Sequence, residues 1–215
     1  MRHGLIFDLD GTLVDSLQGI AASLNRALEG AGLPQHSEPA VRGFIGNGAR
    51  VLIQRSAPLD AAETLIHSLE QVFKVDYEVT WPSGTFAYAG IVELLESLQG
   101  RGYSLAVLSN KPHPFTVAIV AQLFPSIQFA IVLGQGPGVS HKPDPGGALQ
   151  IATALGRAAE DCWMIGDSTM DLETARNAGM RAMAVTWGFH DRERLVAEGA
   201  DSIADKPDFL LGYFG

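Results

Sequence analysis

The 215-residue chain contains a single cysteine, Cys162. One cysteine cannot form an internal disulfide, which is typical of proteins from a reducing cytoplasm. Cys162 begins the apolar run Cys162–Ile165, so we expect a buried structural thiol rather than a nucleophile. The composition therefore predicts a cytoplasmic protein whose fold does not depend on disulfides.

The chain also lacks clusters of basic residues and long apolar segments. Its 15 lysines and arginines are outnumbered by 24 aspartates and glutamates, which gives a formal charge of -9 at pH 7. Nucleic-acid and membrane-binding faces need clustered positive charge, so we expect neither kind of partner. No apolar stretch is long enough to span a bilayer, and Asp8 and Asp10 interrupt the first apolar segment too early for a signal peptide.

The signatures of several other enzyme classes are missing as well. The six histidines are scattered without metal-ligand spacing, which argues against a zinc site. The glycines of Gly134–Gly138 do not have dinucleotide-binding spacing, and the chain has neither a P-loop nor a Gly-x-Ser-x-Gly elbow. An NAD enzyme or a serine hydrolase would therefore lack its machinery.

Two aspartates follow the first apolar run of the chain. Leu5–Phe7 has the composition of a strand buried on both faces, and Asp8 and Asp10 come directly after it. In an extended chain both carboxylates project to the same side, while Gly11 allows the backbone to turn. Buried paired carboxylates are costly unless positive charge lies between them. A hard cation such as Mg²⁺ beside a phosphate meets that need.

The rest of the chain consists of a helical stretch and an alternating one. Between residues 16 and 83, apolar residues recur at helical spacing and no strand is indicated. Residues 84–215 alternate short apolar runs with helices, which is typical of βαβ units. We therefore predict an α/β fold, with a doubly wound, Rossmann-like parallel sheet core at 1–15 and 84–215 and an inserted α-helical cap domain at 16–83. The last helix of the insertion is expected over residues 61–75, with a buried side that includes Leu65, Leu69, Val72 and Phe73.

Polar residues follow three of the predicted strands. Asp8 follows the first, Ser109 and Asn110 follow the strand at 103–108, and Asp167 follows the strand at 163–165. Parallel sheets bind ligands beyond the carboxyl ends of their strands, so we expect these residues to meet at one rim. Asp171 lies one helical turn beyond Asp167. It is a candidate metal ligand, a support for the ligands, or a helix N-cap.

Such a rim suits the hydrolysis of a phosphate monoester. The reaction needs a nucleophile and a proton donor for the leaving oxygen, and we assign these roles to Asp8 and Asp10. Ser109 and neighbouring amides can donate hydrogen bonds to phosphate oxygens, while Lys142 can supply positive charge. Thr12 has two possible roles, because its hydroxyl could donate a hydrogen bond to phosphate or stabilise the turn.

Four segments resemble, in order and spacing, the motifs of the haloacid dehalogenase (HAD) superfamily of phosphotransferases. They are Asp8–Thr12, Ser109–Lys111, Lys142–Pro143 and Gly166–Asp171. The resemblance implies an aspartyl-phosphate mechanism in which Asp8 attacks and Asp10 shuttles the proton. It implies that Mg²⁺ is held by the side chains of Asp8 and Asp167 and by the backbone carbonyl of Asp10. Asp171 is a further candidate ligand. The phosphate-binding positions that it implies are Gly11, Thr12, Ser109, Asn110 and Lys142.

The inserted helical domain resembles the cap of one HAD subclass, and the chain as a whole is similar to the phosphoglycolate phosphatase family. The similarity is carried by Phe44–Leu52, Ser109–Pro112, Phe115–Thr116 and Thr186–Gly188, whereas Ala89 stands where the family usually has proline. It implies a small phosphorylated metabolite as substrate. The candidate substrate-binding residues are Gly46, Asn47, Gly48, Arg50 and Lys111.

Related caps serve other substrates, so other functions stay open. Within the superfamily they are a phosphosugar phosphatase or mutase and a pyrophosphatase. A non-enzymatic protein that binds a phosphorylated ligand belongs to a different class, and a complete set of costly charged residues argues against it. The sequence is compatible with a monomer or a homodimer.

Overall fold

The structure, a computed structural model, describes residues 2–215. It contains two compact units. One comprises the chain up to Val14 together with Ala87–Gly215, and the other comprises Asp15–Phe86. The first unit is an α/β domain and the second is helical. No helix within residues 2–215 combines the length and the apolar content that crossing a bilayer requires.

The α/β unit is built on a six-stranded sheet whose neighbouring strands are all parallel. In chain order, the strands of the protein are β1 (Gly4–Phe7), β2 (Val14–Asp15), β3 (Phe86–Ala87), β4 (Ser104–Pro112), β5 (Phe129–Gln135), β6 (Cys162–Gly166), β7 (Arg181–Val185) and β8 (Ile203–Ala204). The large sheet has the order β5-β4-β1-β6-β7-β8, and β2 pairs with β3 in a separate small sheet.

Five helices connect successive strands of the α/β unit, and a sixth follows the last strand. They are, with numbers that continue from the helical unit, α5 (Ile91–Gly100), α6 (His113–Leu123), α7 (Gly146–Ala154), α8 (Thr169–Ala178), α9 (Arg192–Ala197) and α10 (Pro207–Tyr213). The α/β fold with a doubly wound parallel sheet is thus confirmed. The short β8 and α10 were not predicted, because two strand residues and a seven-residue helix carry little periodicity.

Strand β1 lies at the centre of the sheet and all four of its residues are buried. Its Phe7 pairs with Val107 of β4 on one side and with Ile165 of β6 on the other. Because the three strands are parallel, the residues after these positions emerge at the same edge of the sheet. At the opposite end, Gly4 pairs with Cys162, whose thiol is free and buried, as predicted.

The helical unit consists of four helices. They are α1 (Leu17–Gly30), α2 (Glu38–Arg42), α3 (Gly48–Ser56) and α4 (Glu63–Gly84). Helix α4 extends nine residues beyond the predicted end at Val75 and includes Pro82. Its buried side comprises Ile66, Leu69, Glu70, Phe73, Tyr77, Trp81 and Gly84. The prediction that Val72 is buried was wrong, because this row of buried residues turns Val72 outward, where it is 49% exposed.

Helices α1 and α4 lie in close contact at two glycines, Gly19 and Gly84. A Cβ atom on Gly84 would lie 2.6 Å from the Cα of Gly19, and one on Gly19 would lie 3.0 Å from the carbonyl oxygen of Gly84. Both obstacles are backbone atoms, which cannot swing aside as a side chain can. The contact therefore requires residues without a side chain.

Gly84→Ala should lower the free energy of unfolding by about 1 to 3 kcal/mol, the usual cost of overpacking. The substitution forces apart the backbones of α1 and α4, while the backbone angle at Gly84 itself suits alanine. Gly30→Ala, at the end of α1, is the matched control, because a Cβ there would meet nothing within 4 Å. Urea denaturation measures both variants, and an equal loss in the two would contradict the close contact.

Candidate active site

The segment after β1 makes a tight turn that is fastened to the sheet. The amide of Asp8 donates to the carbonyl of Ile165 at 2.9 Å, which continues the pairing with β6. The carbonyl of Leu9 then accepts hydrogen bonds from the amides of Leu13, at 2.9 Å, and Val14, at 3.0 Å. Gly11 has φ of +87°, a conformation that glycine adopts without strain. The turn presents Asp8 and Asp10 at the carboxyl edge of the sheet.

Three aspartates and a lysine converge at this edge. Asp8, Asp167 and Asp171 are buried and each offers a carboxylate oxygen within 4.8 Å of the others. The ammonium of Lys142, only 3% exposed, lies 2.8 Å from Oδ1 of Asp8 and 2.7 Å from Oδ1 of Asp171. The cluster thus places one positive charge against three carboxyl groups. The structure brings together the predicted nucleophile, the motif lysine and two predicted metal ligands.

The electrostatics of the cluster follow from its burial. Burial raises the pKa of Asp8 well above its usual range; Lys142 opposes this shift, whereas the charges of Asp171 and Asp167 add to it. Burial and the charge of Asp171 also raise the pKa of Asp167 to about 7. Burial alone would lower the pKa of Lys142, but Asp171 and Asp8 raise it above its ordinary value. The site is therefore short of positive charge.

A hard divalent cation fits this donor set. Carboxylate oxygens are the ligands that Mg²⁺ prefers, and a second positive charge would favour the ionised forms of Asp8 and Asp167. The carboxylate of Asp10, the predicted proton donor, is not part of this cluster. It is bound instead by the ammonium of Lys111, at 3.0 Å from Oδ1 and 3.1 Å from Oδ2. The metal ligand that the family resemblance implies at Asp10 is its backbone carbonyl, and that role stays a prediction.

Lys111 was grouped with the substrate-binding residues of the cap, but it lies in β4, within the α/β unit. Its contact with Asp10 is nearly enclosed, since the two side chains are 6% and 14% exposed. The hydroxyl of Ser109, two residues earlier, accepts a hydrogen bond from the amide of Lys111 at 3.1 Å. The Ser109 hydroxyl keeps its own proton to donate.

The side chains of two predicted phosphate-binding residues make contacts within the protein. The side chain of Asn110 accepts from the amide of Lys142 at 2.6 Å and donates to its carbonyl at 3.1 Å, so it holds the backbone of that lysine. The hydroxyl of Thr12 donates to Oδ1 of Asp167 at 3.0 Å. This contact ties the turn to Asp167, and phosphate binding by Thr12 stays a prediction.

Asp171 is held by the start of α8. Its Oδ2 accepts hydrogen bonds from the amide of Ser168 at 3.0 Å and from the Ser168 hydroxyl at 2.7 Å. Ser168 is the N-cap and Asp171 is the third residue of the helix, so the reading of Asp171 as the N-cap was wrong. This capping box leaves Oδ1 directed to Lys142.

The predicted cap residues Gly46, Asn47, Gly48 and Arg50 all lie in the helical unit. Gly46 and Gly48 have φ of +120° and +83°, and the side chain of Asn47 accepts a hydrogen bond from Arg55 at 2.9 Å. Arg50, in α3, forms ion pairs with Glu63 and Glu70 of α4, the latter at 3.2 Å. Their contact with a substrate stays a prediction.

Functional contacts that the sequence reading did not assign come from the segment after β7. The indole of Trp187 donates to the carbonyl of Thr12 at 3.0 Å, and the amide of Phe189 donates to Oδ2 of Asp167 at 2.7 Å. The only sequence signal was the family resemblance of Thr186–Gly188. The contact of Phe189 involves its backbone amide, which leaves no trace in residue type.

Comparison with known proteins identifies the family of the chain. The family model of haloacid dehalogenase-like hydrolases matches residues 5–185. A phosphoglycolate phosphatase of Pectobacterium atrosepticum is 32% identical over 99% of this chain and 92% of its own length. One from Salmonella paratyphi A is 33% identical, with the same coverage.

Solved structures agree with these sequence relatives. A crystal structure described as a predicted phosphoglycolate phosphatase from Haemophilus somnus superposes with a TM-score of 0.93 at 30% identity, covering 100% of this chain and 98% of that one. A haloacid dehalogenase-like hydrolase from Streptococcus pneumoniae gives a TM-score of 0.89 at 27% identity, covering 100% and 99%. The chain belongs to the family of haloacid dehalogenase-like hydrolases.

Proposed function

We propose that this chain is a Mg²⁺-dependent phosphatase that acts on 2-phosphoglycolate or a similarly small phosphorylated acid through an aspartyl phosphate on Asp8. The coarser statement, that it is a hydrolase of phosphoric monoesters, follows from its family and from relatives named phosphoglycolate phosphatases. The observation that carries the proposal is the buried cluster of Asp8, Asp167, Asp171 and Lys142.

In the first half of the proposed reaction, a carboxylate oxygen of Asp8 forms a bond to phosphorus. The bond from phosphorus to the leaving oxygen breaks, and Asp10 gives its proton to that oxygen. Lys142 and the hydroxyl of Ser109 stabilise the negative charge on the transferring phosphoryl group. In the structure, Lys111 holds Asp10 at the edge of the site through an ion pair.

In the second half, water attacks the phosphorus atom of the aspartyl phosphate. Asp10 accepts the proton of the water, and the bond between phosphorus and Asp8 breaks to release inorganic phosphate. Asp8, Asp167 and Asp171, with the carbonyl of Asp10, would hold Mg²⁺. When bound, the ion supplies positive charge beside the phosphate oxygens.

We propose that the helical unit Asp15–Phe86 acts as a cap that excludes water and selects the substrate. The backbone amides of Gly46–Gly48 are suited to an anionic group. In the structure the charge of Arg50 is already paired with Glu63 and Glu70. Binding of a substrate carboxylate by Arg50 would therefore require exchange with these two residues.

The test is phosphate release from a panel of monoesters, with Mg²⁺ and with EDTA. The panel includes 2-phosphoglycolate, several sugar phosphates, pyrophosphate and nucleotides. We expect release to require Mg²⁺ and to be fastest with 2-phosphoglycolate, because the proposed cap selects a small acid.

Other outcomes assign the other functions. Preference for a sugar phosphate or pyrophosphate would keep the roles of Asp8 and Asp10 and reject the proposed substrate. Activity that depends on a bisphosphate activator would identify a mutase. Absence of release from every compound, with phosphorylated ligands still bound, would indicate a non-enzymatic binding protein.

A further inference from the structure

Four consecutive residues after β7 lie along the catalytic edge of the sheet. We name this segment, Trp187–His190, the rim strap. Trp187 donates to the carbonyl of Thr12 at 3.0 Å, and Phe189 donates its amide to Asp167 at 2.7 Å. His190 accepts a hydrogen bond on Nδ1 from the amide of Thr169, at the start of α8, at 3.1 Å. The strap thus touches three separate parts of the site.

The remaining residue, Gly188, is enclosed between two of those parts. A Cβ atom there would collide with the carbonyl oxygen of Gly11 and with the Cβ and Cγ of Asp167. Gly11 likewise has no space for a side chain, because a Cβ on it would collide with the carboxylate of Asp167. The turn after β1, the side chain of Asp167 and the strap are therefore in direct contact, with no room for an added methyl group.

Both carboxylate oxygens of Asp167 are fixed by these neighbours. Oδ1 accepts from the hydroxyl of Thr12, and Oδ2 accepts from the amide of Phe189. Trp187 in turn holds the backbone of Thr12. The strap therefore acts on Asp167 directly through Phe189 and indirectly through Trp187 and Thr12. Asp167 is only 1% exposed, so water does not replace these donors.

We infer that the rim strap is a positioning element that orients Asp167 for a divalent cation before the cation binds. The inference rests on the proposed role of Asp167 as a metal ligand. Groups that hydrogen-bond a metal ligand commonly change metal affinity by about 10-fold to 100-fold when they are removed. Trp187 acts on Asp167 through one additional hydrogen bond, that of Thr12. We therefore expect the loss of metal affinity on removing its N–H to lie at the lower end of this range.

The test uses Trp187→Phe, which removes the indole N–H and keeps an aromatic ring. Mn²⁺ is titrated into the metal-free protein, and the free ion is followed by electron paramagnetic resonance. We expect the dissociation constant for Mn²⁺ to rise about 10-fold, while the melting temperature of the metal-free protein matches that of the control. Saturating Mg²⁺ should restore most of the turnover, because the lost orientation concerns the metal ligand alone.

Trp163→Phe is the matched control. Trp163 is in the same unit, at the amino end of β6, and its buried indole nitrogen has no hydrogen-bond partner within residues 2–215. The control should bind Mn²⁺ like the unmodified protein. Unchanged affinity in Trp187→Phe, or an equal loss in both variants, would overturn the inference.

Asp167→Asn separates failure of the strap from failure of the proposed metal site. If Asp167→Asn binds Mn²⁺ normally, Asp167 is not a ligand and both proposals fall. If Asp167→Asn loses affinity while Trp187→Phe keeps it, the metal site stands and only the strap is overturned. Gly188→Ala supplies a second test of the strap, since its methyl group should also weaken Mn²⁺ binding by about 10-fold or more.

Discussion

Asp8→Asn should reduce the rate of phosphate release by at least about 10⁴-fold, because the amide cannot attack phosphorus. The fold should persist. Burial already disfavours the ionised form of Asp8, so a neutral side chain of the same shape removes an unfavourable charge. We expect the metal-free variant to melt no lower than the unmodified protein, as is common for residues kept for function rather than stability.

Steady-state phosphate release and thermal denaturation measure these two effects. Acid-quenched mass spectrometry should detect a phosphorylated peptide that contains residue 8 in the unmodified enzyme and not in the variant. Asp161→Asn, at an exposed position, is the control and should leave both activity and stability unchanged. A variant that retains substantial turnover would refute the assignment of Asp8 as nucleophile.

Lys142→Met should both abolish activity and destabilise the metal-free protein. The lysine supplies the only basic side chain in contact with Asp8 and Asp171 among residues 2–215, at 2.8 and 2.7 Å. Removal of one partner from a buried charge cluster leaves the others uncompensated and commonly costs about 3 to 5 kcal/mol. Methionine has a similar volume, so packing is largely preserved and the loss reports the missing charge.

Urea denaturation in EDTA and in saturating Mg²⁺ checks this result. If the proposed cation binds beside these carboxylates, Mg²⁺ should recover part of the lost stability without recovering turnover. Lys74→Met is the control, because Lys74 pairs with Glu70 at a position that is one-third exposed, where ion pairs contribute at most about 1 kcal/mol. A stability loss for Lys142→Met as small as that of the control would contradict the electrostatic role.

The parts of the site that were predictable from sequence lie at strand ends. Asp8 and Asp167 each follow a short apolar run, and parallel strands necessarily bring their carboxyl ends to one edge. Local pattern and simple topology are sufficient for this inference. The same pattern also predicts the α/β core, whose buried strands read as continuous apolar runs.

Other features of the structure depend on contacts between residues far apart in the chain, which the local sequence pattern does not encode. Asn110 binds the backbone of Lys142 across 32 residues of sequence, and a turn asparagine has the same residue type without that contact. Phe189 acts through its amide, which every residue except proline possesses. Val72 was misassigned because the α4 pattern offers two apolar rows, and only tertiary packing decides which one is buried.

The central position of β1 has a consequence for the order of folding. Gly4 pairs with Ser104 on one side and with Cys162 on the other, so both neighbours of β1 lie far along the chain. Closing such long loops is entropically costly and slow, whereas α1 to α4 can form from contacts within Asp15–Phe86. Asp8 therefore joins Asp167 only after most of the chain has collapsed. Catalytic competence should be among the last properties that the folding chain acquires.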